Sequence, residues 1–497
     1  MSTDWVHFVL TDFLLTELSR PALRDSKLPR YRQLYTALRH ALQTGTLRAG
    51  ERLPSSRELT DDLHMARNTV IAAINQLTVE GYLQARIGSG TYVADSVPPA
   101  RARRAQKPPS PSSRLSRRGS TLAHSHLASE LEVQPFTPGL ADFSAFPVAL
   151  WQRLQNKHWR MMYPDMLDYS SRGGFAPLRH AVADYLRLSR SVPVHADQVL
   201  ITSGTQQSLE LCAQLLADHQ DTVWMEDPGY WGAVKAFLAT GLRLHPVPVD
   251  QHGMAPHDHE PCPEPRLIYL TPSHQYPLGS VMPLARRHQL LALARRHQAW
   301  ILEDDYDSEF RFSGPPLSSL AGLDVDQRVL YMGSFSKVLY PGLKLGYLVV
   351  PEGLVTPFRQ AHYDLNRPGQ VPLQAALAEF IEMGHFGAAL RRARQSHAVR
   401  RQALLQALQP CLGRQITISG AEQGLHLCLR MADHVDDQAL ARVAATEQLS
   451  VRPLSAYCLQ RRDARGLVLG YGYAPLAQIP SSGAQLARLL MRSLRSP

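Results

Sequence analysis

Residues 333–347 read Gly333-Ser334-Phe335-Ser336-Lys337-Val338-Leu339-Tyr340-Pro341-Gly342-Leu343-Lys344-Leu345-Gly346-Tyr347, a turn carrying two lysines between apolar runs. The run before it, RVLYM (328–332), and the run after it, LGYLVV (345–350), are short and nearly continuous in apolar residues. Strands covered on both faces read this way. Four more runs share the pattern: QVLIT (198–202), TVWME (222–226), RLIYL (266–270) and AWILE (299–303), with helical stretches between several of them. The spacing predicts an α/β domain over 135–497, built on a mostly parallel sheet and closing, after Pro351, with long basic amphipathic helices and a small mixed region. A lone lysine at a strand end is ordinarily solvated. Lys337 differs in having Ser334 and Ser336 beside it, hydroxyls able to hold an anion.

A chain of 497 residues is too long for one core, so more than one domain is expected. The formal charge of +10 suits a polyanionic partner. The five cysteines are odd in number, far apart and free of CxxC spacing, which predicts reduced thiols, a cytoplasmic location and no metal site. The start, MSTDWVHFVLTDFLLTELSR, lacks a basic front and a small-residue cleavage site, and no run is long enough to span a bilayer. Neither a signal peptide nor a membrane partner is therefore expected.

Towards the N-terminus, Leu34, Leu38 and Leu42 lie four apart on one helical face. In the stretch LPSSRELTDDLHMARNTVIAAINQLTVEGYLQARIGSGTYVAD, Ser55 or Ser56 can cap a helix running to about His64, a turn follows, and a second helix runs from about Arg67 to Glu80. Gly81 stops it, and two short strands flank a Gly-Ser-Gly turn. Helix, turn, helix and hairpin predict an α+β winged helix-turn-helix over 28–95. Such a module lays the start of its second helix in the major groove of double-stranded DNA. Arg67, Asn68 and Thr69 stand there, offering a forked donor, an amide that can pair with adenine and a hydroxyl. Ser56 and Arg57 on the preceding helix, and Arg86, Gly88, Ser89 and Gly90 on the wing, are placed to hold phosphates. Residues 96–134 are rich in proline and serine, carry seven Arg/Lys between Arg101 and Arg118, and read as a flexible basic linker that can also touch DNA phosphates.

The segment LPSSRELTDDLHMARNTVIAAINQLTVEGYLQARIGSGTYV resembles the GntR-type winged helix of bacterial transcription factors, whose motif runs LPS-x-R, S-R-x-T-V, then a G-x-G-T wing. Ala66 replaces the usual serine, so Asn68 or Thr69 must carry more of the contact.

The α/β domain offers the groups that pyridoxal phosphate needs: an amine, a carboxylate for its ring nitrogen, a phosphate cup and an aromatic face. Lys337 is the amine. Glu303-Asp304-Asp305-Tyr306-Asp307 gathers four carboxylates around a tyrosine, a repulsive set that is hard to justify structurally without a balancing cation. Ser203-Gly204-Thr205-Gln206 opens a helix after a strand, a ready anion site. EDPGYWGA exposes Tyr230 as the aromatic.

In this order the motifs resemble the fold-type I aminotransferases. The resemblance implies Lys337 as Schiff-base partner, Asp304 on the pyridine nitrogen, Tyr306 on the ring oxygen and Tyr230 on the ring face. It assigns Gly204, Thr205, Ser334 and Lys344 to the phosphate, with Gln206 and Ser336 alongside. TPSHQYPLG (271–279) would lie over the cofactor, and YSSRGGFAPLR (169–179) would reach the neighbouring subunit's site. A GntR-type module, a linker and this domain together look like the MocR family of regulators. That family implies a head-to-tail homodimer whose large domain senses pyridoxal phosphate, or its adduct with an amino compound, and changes how the protein sits on an operator.

Three departures from the enzyme pattern stand out. Tyr276 replaces an asparagine, with His274 or Gln275 as possible stand-ins. Lys344 replaces an arginine, keeping the charge but losing the fork. In ARGLVLGYGY, Val468 or a neighbour occupies the place of the arginine that clamps the substrate carboxylate, and Arg465 is offset. A sensor without turnover is expected. A working aminotransferase with a DNA-binding appendage is the alternative.

Overall fold

A computed structural model of the chain describes residues 3–24, 26–86, 88–95, 115–123, 133–161, 166, 168, 172–256, 262–312, 318–367, 369–413 and 415–493. It divides into two compact units, Met1–Arg114 and Leu115–Pro497. Of the expected linker, residues 96–114 and 124–132 lie outside the described residues, as do residues 169–171 of the stretch expected to reach a neighbouring subunit.

The first unit holds helices α1 (Thr3–Ser19), α2 (Pro21–Arg24), α3 (Arg30–Thr44), α4 (Ser56–Leu63) and α5 (Arg67–Val79), then strands β1 (Leu83–Arg86) and β2 (Gly90–Val93). The predicted apolar face of α3 buries Leu34, Leu38 and Leu42. Helix α4 begins at Ser55, which accepts from the Glu58 N–H at 3.2 Å while Glu58 accepts from the Ser55 N–H at 2.6 Å, a reciprocal cap. His64 ends it in the left-handed conformation, and Ala66 caps α5 without a side-chain bond. The strands pair antiparallel, with Arg86 opposite Gly90. The sequence did not reveal that α1 belongs to the same core: Leu10, Leu14 and Leu18 pack with Leu34, Leu38 and Leu59. Burying each leucine is worth roughly 1.5–3 kcal/mol before ordering costs.

The second unit opens with α6 (Arg117–Ala123), inside the expected linker, where Lys235 Nζ donates to Thr121 O at 3.0 Å. Then come α7 (Val148–Arg160), α8 (Ala176–Arg190), β3 (Val199–Thr202), α9 (Thr205–Leu216), β4 (Thr222–Asp227), α10 (Trp231–Thr240), β5 (Arg243–Asp250) and β6 (Gly253–Met254). They are followed by β7 (Leu267–Leu270), α11 (Leu284–Arg296), β8 (Trp300–Asp305), α12 (Leu320–Leu323), β9 (Val329–Ser334) and β10 (Gly346–Val349). Eight strands form one sheet in the order β3-β10-β9-β8-β7-β4-β5-β6. Strands β9, β8, β7, β4 and β5 run parallel, and β10 is antiparallel to both β9 and β3. All six predicted runs are strands of this sheet.

Both faces are covered, which is why those runs are continuously apolar. Leu200, Met225, Tyr269, Leu302 and Met332 pack on the side of α9 and α10, whereas their neighbours Ile201, Trp224, Ile268, Ile301 and Tyr331 point the other way. The closing region adds helices Val355–Asn366, Val371–Glu382 and His385–Leu408, then a four-stranded antiparallel sheet. That sheet comprises β11 (Ile416–Ser419), β12 (His426–Met431), β13 (Arg452–Pro453) and β14 (Arg465–Gly470), in the order β11-β12-β14-β13, with helices Asp437–Thr446 and Ile479–Ser493 in its layer. No described helix is long and apolar enough to cross a membrane.

Candidate functional sites

Sheet register assembles the first site. Gly346, at the start of β10, is registered with Ser334 at the end of β9 on one side and with Thr202 at the end of β3 on the other. The turns after β3 and β9 and the turn before β10 therefore meet at the carboxyl edge of the parallel strands, where open α/β sheets bind ligands. There they line a cavity of about 340 Å³ together with Asp304, Tyr306, Tyr230, Tyr269, Thr271, Tyr276, His426 and Arg452.

Gly204, Thr205, Gln206, Ser334, Ser336, Lys337 and Lys344 all face this cavity. Gly204 precedes α9 with φ +115°, and a Cβ there would meet nothing within 4 Å, so the backbone is open to the cavity at a helix N-terminus. Gln206 Nε2 donates to Gly232 O at 3.1 Å, tying that turn to α10. Lys337 Nζ donates to Gly139 O at 2.7 Å. Burial lowers its pKa, opposed by Asp307 and Asp304, and so favours the neutral, nucleophilic amine. Tyr230 stands on the wall, its ring edge-on to Tyr276 with centroids 5.9 Å apart.

The acidic run is sorted by strand alternation, and three of its four carboxylates find partners within the protein. Glu303 and Asp305 point to one face of β8. Glu303 accepts from the N–H groups of Leu320 and Ala321, both at 2.9 Å, and lies 3.9 Å from Arg287. Asp305 pairs with Arg190 at 2.8 Å and accepts from the Tyr331 hydroxyl. Asp307 pairs with His274 Nδ1 at 2.8 Å. Only Asp304 turns to the cavity: Tyr269 donates to its Oδ2 at 2.8 Å, while its buried Oδ1 has no partner.

Burial pushes Asp304 up to about 7, against the opposing pull of the Tyr269 hydrogen bond. Its folded value lies above the ordinary 3.8, so the folded state keeps the extra proton; this contribution is complete below about pH 4 and is lost as the pH climbs to about 7. Asp304→Asn is expected to flatten that part of the alkaline fall in Tm of the cofactor-free protein, measured by calorimetry across the same window. Glu226, also raised to about 7 by burial, leaves a residual slope.

Neither expected stand-in for the missing asparagine reaches the cavity wall. His274 is captured by Asp307 behind Tyr306, whose hydroxyl donates to His274 O at 3.0 Å. Gln275 turns to the carbonyls of Pro228 and Tyr276. Tyr276 itself lines the wall, with its hydroxyl 3.1 Å from that of Tyr457. His426 lies beside it; burial and the neighbouring His274 hold its pKa well below the ordinary histidine range, leaving a neutral imidazole.

Val468, expected at the clamp's place, lies within β14. Arg465 is 3.8 Å from Asp437 and does not line the cavity. Arg452, on β13, does line it and is registered directly opposite Val468. The two-residue strand gave no periodic signal, so the sequence did not mark this arginine.

On the first unit, Arg57, Arg67 and Asn68 are exposed, Ser56 and Thr69 are half-buried, and Arg86, Gly88, Ser89 and Gly90 are exposed on the hairpin. Gly90 has φ +112°, and a Cβ there would meet Arg52 Nε at 3.0 Å. Exposed Arg52, bridged to Tyr92, thus adds a cation to the wing that sequence reasoning missed. The Arg86 guanidinium lies 4.5 Å from the Tyr92 ring centre, which orients the wing's own arginine.

The model for aminotransferase class I and II matches residues 148–465, and that for bacterial regulatory proteins of the gntR family matches residues 30–93. The chain is 39% identical to the "Probable rhizopine catabolism regulatory protein MocR" of Rhizobium meliloti, over 90% of this chain and 91% of that protein. It is 30% identical to the HTH-type pyridoxine biosynthesis transcriptional regulator PdxR of Corynebacterium glutamicum, over 88% and 91%. Among solved structures, the α-aminoadipate aminotransferase LysN of Thermus thermophilus, complexed with N-(5'-phosphopyridoxyl)-L-leucine, matches with TM-score 0.66 and 28% identity, covering 73% of this chain and 93% of that one.

Proposed function

The chain belongs to the MocR family of regulators, which join a gntR-type domain to an aminotransferase class I and II domain, and we propose from this that it binds an operator in a manner set by pyridoxal phosphate, or an amino compound upon it, held in the cavity of the second unit. The observation that carries the reading is the unpartnered, buried Oδ1 of Asp304 facing the same cavity as a buried lysine amine. A buried carboxylate oxygen without a donor is costly unless a donor arrives, and a protonated ring nitrogen is such a donor. The residues therefore fit the cofactor.

When bound, pyridoxal phosphate supplies an aldehyde that condenses with amines and an electron-withdrawing ring. The chain supplies the rest. Lys337 would present the amine. Asp304 would hold a proton at the ring nitrogen. Gly204 and Thr205 at the start of α9, with Ser334, Ser336 and Lys344, offer N–H, hydroxyl and ammonium donors to the phosphate. Tyr230 would cover a ring face, and Tyr306, whose hydroxyl donates to His274 O, would stand near the ring oxygen. A head-to-tail homodimer would complete the assembly.

On DNA, Arg67 and Asn68 at the start of α5 read bases while Arg57, Arg86 and the wing hold phosphates. Arg67→Ala is expected to weaken binding by about 1–3 kcal/mol and relax specificity at one position. Arg86→Ala should instead weaken all sequences alike and reduce the salt slope by about 1. Fluorescence anisotropy on duplex from the region upstream of the chain's own gene, against scrambled duplex, tests both. No preference by the wild type would sink the regulator reading, and steady keto-acid release from amino acids would favour the enzyme reading.

A further inference from the structure

We propose that His274, Asp307 and His426 form a binding site for a divalent transition-metal cation of the Zn2+ class, which pins the 271–279 segment over the cavity to the start of β12. The proposal stands apart from the cofactor reading of the cavity.

Among the described residues, these are the three His, Cys, Asp or Glu side chains whose donor atoms come together, one atom from each lying within 4.8 Å of the other two. Cysteine spacing gives no sign of such a site. The three residues come from the loop after β7, the turn after β8 and the first position of β12, and each is buried.

Hydrogen bonds decide which atoms are left to act. His426 Nε2 lies 3.0 Å from Pro277 O, and a carbonyl can only accept, so the ring proton sits on Nε2 and Nδ1 keeps its lone pair. His274 Nδ1 lies 2.8 Å from Asp307 Oδ2 and donates to that carboxylate, leaving Nε2 as the lone-pair nitrogen. That Nε2 is buried without a hydrogen-bond partner, and so is Asp307 Oδ1. Buried acceptors without a donor are costly, and a cation satisfies them. Metal-binding histidines are held in this way, with the outer ring N–H on a carboxylate or a backbone carbonyl.

Close approach of the backbone holds the donors in place. Gly424, at φ +83°, lies so near that a Cβ there would stand 2.0 Å from His274 Cε1 and 2.6 Å from Asp307 Oδ2. Gly279, at φ +74°, would place one 3.0 Å from His274 Nε2. His426 also lines the cavity, which gives an ion its route in. Two imidazoles and one carboxylate suit Zn2+, Co2+ or Ni2+ rather than Mg2+ or Ca2+, which take oxygen ligands. Metal–nitrogen bonds of about 2.0–2.1 Å set donors roughly 3–3.5 Å apart, so the widest pair closes by up to about 1.5 Å on binding.

The test uses the full chain, freed of metal by a chelator and without pyridoxal phosphate, titrated with Co2+ and Zn2+. Calorimetry reads the stoichiometry, and the visible absorbance of bound Co2+ reads its ligands. The wild type should bind one ion per chain, with Zn2+ displacing Co2+ and raising Tm, and Mg2+ doing neither. His274→Gln, and His426→Gln, whose amide can still donate to Pro277 O, should each weaken binding by about 100-fold or more, exceeding the roughly 10–100-fold lost with an outer partner. Their metal-free Tm should stay near that of the wild type, and exposed His252→Gln should change nothing. Asp307→Asn should weaken binding by about tenfold or more, and decides the matter if a histidine variant fails to fold. A wild type without saturable binding, or binding that persists unweakened in these site variants and so belongs to surface histidines, would overturn the assignment.

Discussion

Lys337→Ala protein, mixed with pyridoxal phosphate and passed through a desalting column, is expected to emerge colourless, while the wild type emerges yellow. On the proposed reading the amine is the covalent partner: it is buried, its pKa is lowered by that burial, and it donates to the Gly139 carbonyl at 2.7 Å. Without it, the donors around Gly204, Ser334 and Lys344 can still attract the phosphate, so weak, rapidly reversible binding should persist in equilibrium dialysis. The separation between retained colour and residual binding distinguishes loss of the covalent partner from collapse of the cavity. Unchanged colour would remove Lys337 from the site.

The second large effect is on stability. Arg190→Met should destabilise the second unit by about 3–5 kcal/mol, the usual cost of stripping one partner from a buried ion pair. Arg190 bonds Asp305 and Ser273, both at 2.8 Å, and neither charged side chain reaches solvent appreciably. The variant leaves Asp305 with only the Tyr331 hydroxyl. A double variant, Arg190→Met with Asp305→Leu, should recover much of the loss, because replacing both members of a buried pair with apolar groups is often neutral. Urea unfolding followed by tryptophan fluorescence gives both numbers. Because Asp305 adjoins Asp304 in β8, the single variant should also weaken cofactor retention.

Much of this was legible in the sequence, for identifiable reasons. The six continuous apolar runs had to be strands covered on both faces, and they are. Of the two serines that could cap α4, Ser55 does so. Strand β5 escaped because RLHPVPVD contains Pro246 and Pro248, residues foreign to a central strand; it lies near the sheet's edge, with only the two-residue β6 outside it. Helix α1 escaped because its apolar side chains gave no partner on their own; the partner is the face of α3.

The acidic run shows the limit most clearly. Apart from the resemblance that nominated Asp304, the sequence gives four carboxylates and no means of sorting them, since their partners Arg190, His274 and Arg287 are distant in the chain. Alternation along β8 does the sorting, leaving Asp304 as the one carboxylate at the cavity. His274 was misplaced for the same reason: its capture by Asp307 is a long-range event. Arg452 was invisible because its place on the cavity wall comes from standing across from Val468 in a neighbouring strand.

The central claim joins the two units: what occupies the cavity alters what the winged helix does on DNA. Anisotropy titration of operator duplex with the wild type and with Lys337→Ala, each with and without pyridoxal phosphate, tests it directly. The account predicts that the cofactor shifts the wild type's apparent Kd, while Lys337→Ala binds with the cofactor-free affinity of the wild type and does not respond. A wild type indifferent to the cofactor, or a Lys337→Ala protein that responds as fully as the wild type, would contradict it.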